Sequence, residues 1–189
     1  MTDLKQNVWH IEVDVPKWLQ ELHGERTRVS TLVIVYVTAL ACAGLVAWQL
    51  VQSGLPIWKV ALAALIFLDV GGGVAANLST STNQYYQVHD RLRLPFIAMH
   101  IIHPVVLAVL FPLALPYFLY VLLFTLTATF TVNAIKDREL QQNTASLLVA
   151  VGCALSFFFP QALPVLYLFA PLFMVNLILG FAVRRTPLV

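Results

Sequence analysis

The chain has 189 residues, of which 60% are hydrophobic and 11% charged, with a formal net charge of +2 and a mean hydropathy of +0.83. Soluble domains average about 45 to 50% apolar and about 25% charged residues, so this composition excludes a soluble globule and indicates an integral membrane protein. Apolar runs take up nearly the whole length, which leaves no room for a separate soluble catalytic domain, and the small net charge argues against a nucleic-acid partner.

In chain order, residues 1–28 are polar and of mixed charge. Within them "VPKWLQELHGE" places Trp18, Leu19 and Leu22 on one helical face and Lys17, Gln20 and Glu21 largely on the other. That pattern suits a short amphipathic helix lying on the membrane with Trp9 and Trp18 as anchors; packing of the segment on the loops is the alternative. Six apolar runs follow, at 29–51, 57–76, 94–111, 117–135, 144–159 and 163–183, mostly near the 20 or so residues that cross about 30 Å of hydrocarbon. The turns "FPLALP" (111–116) and "FPQALP" (159–164) each carry two prolines, which stop one helix and suit the first turn of the next. Cys42 and Cys153 fall inside apolar runs, where a thiol behaves as a small hydrophobe.

Basic residues mark the cytoplasmic side. Lys5, Lys17, Arg26 and Arg28 precede the first run, Arg91 and Arg93 lie in the second loop, Lys136 and Arg138 in the fourth, and Arg184 and Arg185 after the last; Lys59 alone falls on the other side. The expected architecture is therefore an all-α integral membrane protein, a six-transmembrane-helix bundle with cytoplasmic N- and C-termini. Residues 1–28 form the cytoplasmic or interfacial segment, 29–183 the transmembrane domain and 184–189 the cytoplasmic tail. The expected location is a bacterial-type inner or plasma membrane, crossed several times.

Ionisable groups inside a bilayer are costly and mark function by default. Asp69 in "IFLDVGGGVAAN" and His100 and His103 in "PFIAMHIIHPVVLAVL" are such groups. Asp69, Gly72, Gly73 and Ala76 share a helical face whose small residues admit a close neighbour, so Asp69 is expected to face a helix rather than lipid. At 1.5 Å per residue, Asp69 lies about 12 Å, His100 about 9 Å and His103 about 13 to 14 Å from the cytoplasmic boundary. The missing amide of Pro104 leaves the His100 carbonyl without its helix partner, free for a ligand or water. Tyr36, Asn133 and Asn176 lie in the same half, which predicts a polar cavity open to the cytoplasm. The long second loop, 77–95, sits over that mouth with Asn77, Asn83, Tyr86, Arg91 and Arg93. In the fourth loop, Asp137 is the best candidate.

Asp69, His100 and His103 are thus the expected catalytic centre, with Tyr36, Asn77, Asn83, Tyr86, Asn133 and Asn176 shaping the substrate site and Arg91 or Arg93 attracting an anionic head group. One Asp and two His match the ligand count of a catalytic zinc, so a divalent metal held by Asp69, His100 and His103 is one expectation. A metal-free acid/base pair, with Asp69 orienting one imidazole, is the other. The expected function is a membrane-embedded hydrolase or related acid/base enzyme acting on a lipid or lipophilic small molecule, with membrane lipids as partners. A proton-coupled transporter or channel, or a non-catalytic ligand-binding protein, is the alternative.

Overall fold

A computed structural model of the chain describes residues 8–185. Five segments are helical, long and apolar enough to cross a membrane: Val29–Gln52, Ile57–Leu78, Asp90–Leu110, Pro112–Ala134 and Pro164–Ala182. Their outward faces carry large apolar side chains such as Ile34, Leu40, Leu65, Val109 and Leu123. That is the surface of an all-α membrane protein, in which helices satisfy their own backbone groups where no water is present.

The N-terminal segment is not a continuous amphipathic helix. Strand β1 (Glu12–Asp14) pairs antiparallel with β2 (Arg26–Arg28), Val13 opposite Thr27, and between them lie a turn at Lys17–Leu19 and the one-turn helix α1 (Gln20–His23). Trp9 and Trp18 remain exposed, while His23 and Thr27 are buried. The segment packs on the polar connection between the second and third apolar segments, the alternative reading of its sequence. Gly24 makes that packing possible. Its φ of +77° favours glycine, and a Cβ there would lie 2.6 Å from the Ser81 carbonyl oxygen.

Helix α2 (Val29–Gln52) turns through Gly54 into α3 (Ile57–Leu78), and these two pack along most of their lengths. A Cβ on Gly71 would lie 2.7 Å from that of Cys42, and one on Gly72 would lie 3.1 Å from that of Ala39. Close backbone approach over small residues is how membrane helices associate when burial from water supplies no driving force.

Residues 77–95, expected as a loop, contain α4 (Thr80–Val88) and a turn at Asp90–Leu92. Ser79 caps α4 by accepting from the Thr82 amide at 3.3 Å, and the absence of Gly or Pro through "TSTNQYYQV" lets the turn propagate. The third apolar segment is broken into α5 (Arg93–Met99) and α6 (Ile102–Leu110) at His100 and Ile101, because Pro104 cannot donate to the His100 carbonyl. A turn at Pro112–Ala114 leads into α7 (Leu115–Ala134), and Asp137 caps α8 (Arg138–Ser156) by accepting from the Leu140 amide at 2.7 Å. Asp137 is therefore a helix cap. Helix α8 opens on polar residues, "RELQQN", and is not among the five segments long and apolar enough to cross. The last segment runs from a 3₁₀ turn (Pro164–Leu168) through α9 (Phe169–Met174) into a π-helical stretch, Val175–Ala182.

Hydrogen bonds tie the helix ends into two clusters. At one end, Arg185 donates from its backbone to Asn83 Oδ1 (3.0 Å) and from its guanidinium to the carbonyls of Asn77 (3.2 Å), Gly180 (3.0 Å) and Leu179, while the Arg184 amide donates to Gln141 Oε1 (2.8 Å). Thr27 and Ser81 join their hydroxyls there at 3.1 Å. At the other end, Lys59 donates to the Leu110 carbonyl (3.1 Å), the Tyr117 hydroxyl to that of Leu166 (3.0 Å) and the Tyr120 hydroxyl to that of Gly152 (2.7 Å). Between the clusters lies an apolar core centred on Phe67, Leu107, Phe118, Phe169, Phe173 and Leu177.

Candidate functional site

The break in the third segment shapes the site. Without the Pro104 amide, the His100 carbonyl takes a weak bond from the His103 amide (3.4 Å) and a second from the His103 ring, whose Nδ1 lies 3.1 Å away. The carbonyl expected to be free for a ligand is thus used internally. Folded back in this way, the His103 ring puts Nε2 2.7 Å from Asp69 Oδ2 on α3. The His100 ring lies beside it, ring centroids 5.1 Å apart, with Nδ1 2.7 Å from the Phe96 carbonyl.

Donors and acceptors can be assigned from these contacts. A carbonyl only accepts, so His103 Nδ1 carries a hydrogen. The bond to Asp69 then needs one more proton, either on Nε2, giving imidazolium and carboxylate, or on Oδ2, giving imidazole and carboxylic acid. In both forms the pair is neutral overall and holds one transferable proton. His100 donates from Nδ1 to Phe96, so the Nε2 of its neutral ring is an acceptor, and it has no partner among the described residues.

Asp69 departs from expectation in one respect. Its side chain is 53% exposed on the flank of the bundle as well as bonded to a neighbouring helix. The small-residue face of α3 serves several neighbours at once: Gly72 meets α2, whereas Gly73 meets Asn176, whose Nδ2 a Cβ at position 73 would approach to 2.7 Å. Asp69, at the edge, is left over a fissure between α3 and the α5–α6 pair. A cavity of about 90 Å³ opens there, lined by Asp69, Gly73 and Asn77 of α3, Tyr86 of α4, Phe96, Met99 and His100 of the broken segment, and Glu21 and Leu22 of α1.

The other expected residues divide into wall and frame. Asn77 and Tyr86 line the cavity. Asn77 donates to Asn176 Oδ1 at 2.6 Å, which fastens α3 to the last segment, and Asn176 Nδ2 stays buried without a partner among the described residues. The Tyr86 ring is 1% exposed, packed against Phe96 and Phe181, and its hydroxyl has no partner among the described residues. Burial, with the Glu21 carboxylate adding to it, pushes the Tyr86 phenol well above its ordinary pKa, so it remains a donor.

Asn83 holds the chain after the last segment, donating to the Val183 carbonyl at 2.7 Å. Tyr36 is away from the cavity, on α2, with its hydroxyl 3.1 Å from His23 Nε2. Arg93 is 4% exposed; it donates to Asn133 Oδ1 (2.9 Å) and the Phe181 carbonyl (3.1 Å) and lies over the Phe181 ring. Arg93 and Asn133 therefore brace the interior rather than meet a head group. Arg91 is exposed on the turn before α5.

The three-ligand metal arrangement expected of Asp69, His100 and His103 is not formed. Asp69 and His103 bond directly to each other, the remaining His103 nitrogen is taken by a carbonyl, and no group of three or more His, Cys, Asp or Glu is placed to hold a metal ion among the described residues. Glu21, absent from the expected set, joins the cavity wall through the docking of α1. Its only signal was its place on the polar face of the leader, which carries no information on what the leader packs against. Comparison with known families, with curated proteins and with solved structures finds no match to the chain.

Proposed function

We propose that this chain is a small membrane enzyme of the acid/base type that acts on a lipid or lipophilic molecule reaching the site sideways from the bilayer. The observation that carries this reading is the pairing of a proton held between Asp69 and His103 with an adjacent, unpartnered His100 Nε2. The first can deliver a proton while the second accepts one, a division of labour that general acid/base catalysis requires. Half-exposure of Asp69 on the bundle flank supports lateral access by a substrate that never leaves the membrane.

The same proposal includes six crossings with both ends of the chain cytoplasmic. Gln141, near the start of α8, meets Arg184 after the last segment, while Gly152 meets Tyr120 near the start of α7. Helix α8 therefore runs between the two end clusters, and a crossing by it lets the last segment begin on the far side and finish beside Asn77 and Asn83. The cluster that holds Arg184 and Arg185 is then cytoplasmic by the positive-inside rule.

The test is conversion of a total membrane lipid extract by the purified protein in lipid nanodiscs, read by mass spectrometry. The wild type should convert at least one lipid class, and Asp69→Asn and His100→Gln should each abolish that conversion in folded protein. Undiminished conversion by both variants overturns the assignment. So does Asp69-dependent proton flux in proteoliposomes without lipid conversion, which would make the pair a transport relay.

A further inference from the structure

The cavity wall is unusually one-sided in its hydrogen-bonding capacity. His100 Nε2, Asp69 Oδ1 and the Glu21 carboxylate are acceptors, and none has a hydrogen-bond partner among the described residues. Among the described residues, the side-chain donors of the wall left without a partner are the Tyr86 hydroxyl and the second N–H of Asn77, whose first is given to Asn176. Among the described residues no Lys or Arg lines the cavity; Arg93 is turned into the interior against Asn133 and Phe181. The Tyr86 hydroxyl is fully buried without a partner among the described residues and His100 is 4% exposed, while Asp69 and Glu21 stand exposed at the mouth. Leaving a buried polar group unsatisfied is costly, and the Tyr86 hydroxyl points to a ligand that completes it.

Charge points the same way as hydrogen bonding. The Asp69–His103 pair is neutral overall, so Glu21 gives the wall its net negative charge. Phosphate, sulfate or carboxylate head groups would meet Glu21 with no guanidinium or ammonium to offset it. A neutral alcohol brings one donor to three acceptors. A primary ammonium brings three donors and a positive charge, and the Tyr86 and Phe96 rings in the wall are the kind of surface that attracts a cation. Phe96 and the exposed Met99 form an apolar lip on the flank of the bundle, where a hydrocarbon tail can pass directly into the bilayer.

We propose that the cavity binds the primary ammonium group of a long-chain amphiphile, with Glu21 and Asp69 as its acceptors. This deepens the reading of the cavity as the substrate site and rests on it. Glu21 is then a specificity-determining residue supplied by the N-terminal segment.

Equilibrium binding of radiolabelled dodecylammonium to the full chain in phosphatidylcholine nanodiscs, with empty nanodiscs subtracted for partitioning, tests the proposal. Saturable binding to about one site is expected, with dodecanol and dodecyl sulfate failing to compete and dodecyltrimethylammonium, which has the charge but no N–H, competing at least tenfold less well. Glu21→Gln, on an exposed position, should weaken binding about tenfold or more. Tyr86→Phe, which keeps the ring packing, should leave the charge preference intact. Equal competition by dodecanol or dodecyl sulfate, or unchanged affinity in Glu21→Gln, overturns it. Turnover is read separately: conversion lost in Asp69→Asn together with non-saturable amine binding would refute the ligand class while sparing the acid/base site, and the opposite pair of results would refute the site while sparing the ligand.

Discussion

On the flank that α3 turns to α2, Gly71 and Gly72 let two helices close until a Cβ at position 71 would sit 2.7 Å from that of Cys42. On the flank turned to α6, one hydrogen bond of 2.7 Å between Asp69 and His103 bridges a fissure that leaves the carboxylate half exposed. The first flank is held by shape over several turns, the second by that polar contact and, at the far end of the helices, by Lys59 donating to the Leu110 carbonyl at 3.1 Å. Shape complementarity tolerates no added volume but needs no particular chemistry. A polar bridge is the reverse, contributing little to stability while fixing two ionisable groups at a defined spacing. The same helix thus separates the work of holding the fold from the work of holding the site.

The closed flank is the more sensitive of the two to added volume. Gly71→Leu inserts a side chain where not even a methyl fits, and forcing volume into a packed site costs about 1 to 3 kcal/mol or more. Thermal unfolding in detergent should show the largest fall in Tm of any single change discussed, or loss of the folded monodisperse species. Gly71→Ala should fall less, and Cys42→Gly should recover part of the loss by returning the space, since the two positions touch and their effects couple. A wild-type Tm for Gly71→Leu would mean the α2–α3 contact is not close.

On the open side the balance between stability and activity should invert. Hydrogen bonds between membrane helices contribute about 0.6 kcal/mol on average and at most about 1.7, so Asp69→Asn should lower Tm only slightly while abolishing conversion. His103→Gln should behave alike, and the double variant should lose little more than either single one, because residues that act as a unit are non-additive. A large loss of stability with turnover per folded molecule preserved would assign Asp69 to bracing alone.

The third flank of the cavity is the docked N-terminal segment, and Gly24 is its most sensitive point. Gly24→Ala meets both an unfavourable φ and the Ser81 carbonyl at 2.6 Å. The segment should become accessible to protease and dodecylammonium affinity should fall, with the Tm of the helical bundle unchanged. Unaltered protease protection would show that the docking does not depend on this contact.

Much of this was legible in the sequence, for physical reasons that differ from part to part. Hydrophobic length located five segments that are helical, long and apolar enough to cross a bilayer, which demands about 20 apolar residues. Rise per residue placed Asp69 and His103 in one layer, and they are bonded. The fate of the His100 carbonyl was not legible: the missing Pro104 amide was visible, but not the folding back of the next histidine to use it. Nor was the role of Arg93, since a basic residue at a span end reads as topology whether it faces head groups or, as here, Asn133 and Phe181. The second connection looked like a loop because its polarity hid an amphipathic helix of nine residues capped by Ser79. Glu21 lay furthest out of reach, because its place in the site depends on a two-stranded ribbon and on Gly24, neither of which hydrophobic periodicity records.

The smallest effect expected is one of pH on that docked segment, through His23. Its ring is 2% exposed beside Tyr36, and burial lowers its pKa below the ordinary histidine value by penalising the charged form. Once the segment undocks, the ring regains water and a pKa of about 6.5. The undocked state then binds more protons, so docking is at full strength above about pH 7.5 and weakens as pH falls through about 6.5, by at most about 1.4 kcal/mol per unit. Protease protection of residues 8–28 should therefore drop between pH 7.5 and 5.5 in the wild type. It should be flat over the same range in His23→Gln, which can still hydrogen-bond to the Tyr36 hydroxyl but does not titrate. A wild type equally protected at both values, or a pH dependence that survives in His23→Gln, would place the sensitivity elsewhere and leave the open flank of α3 with a wall indifferent to acid.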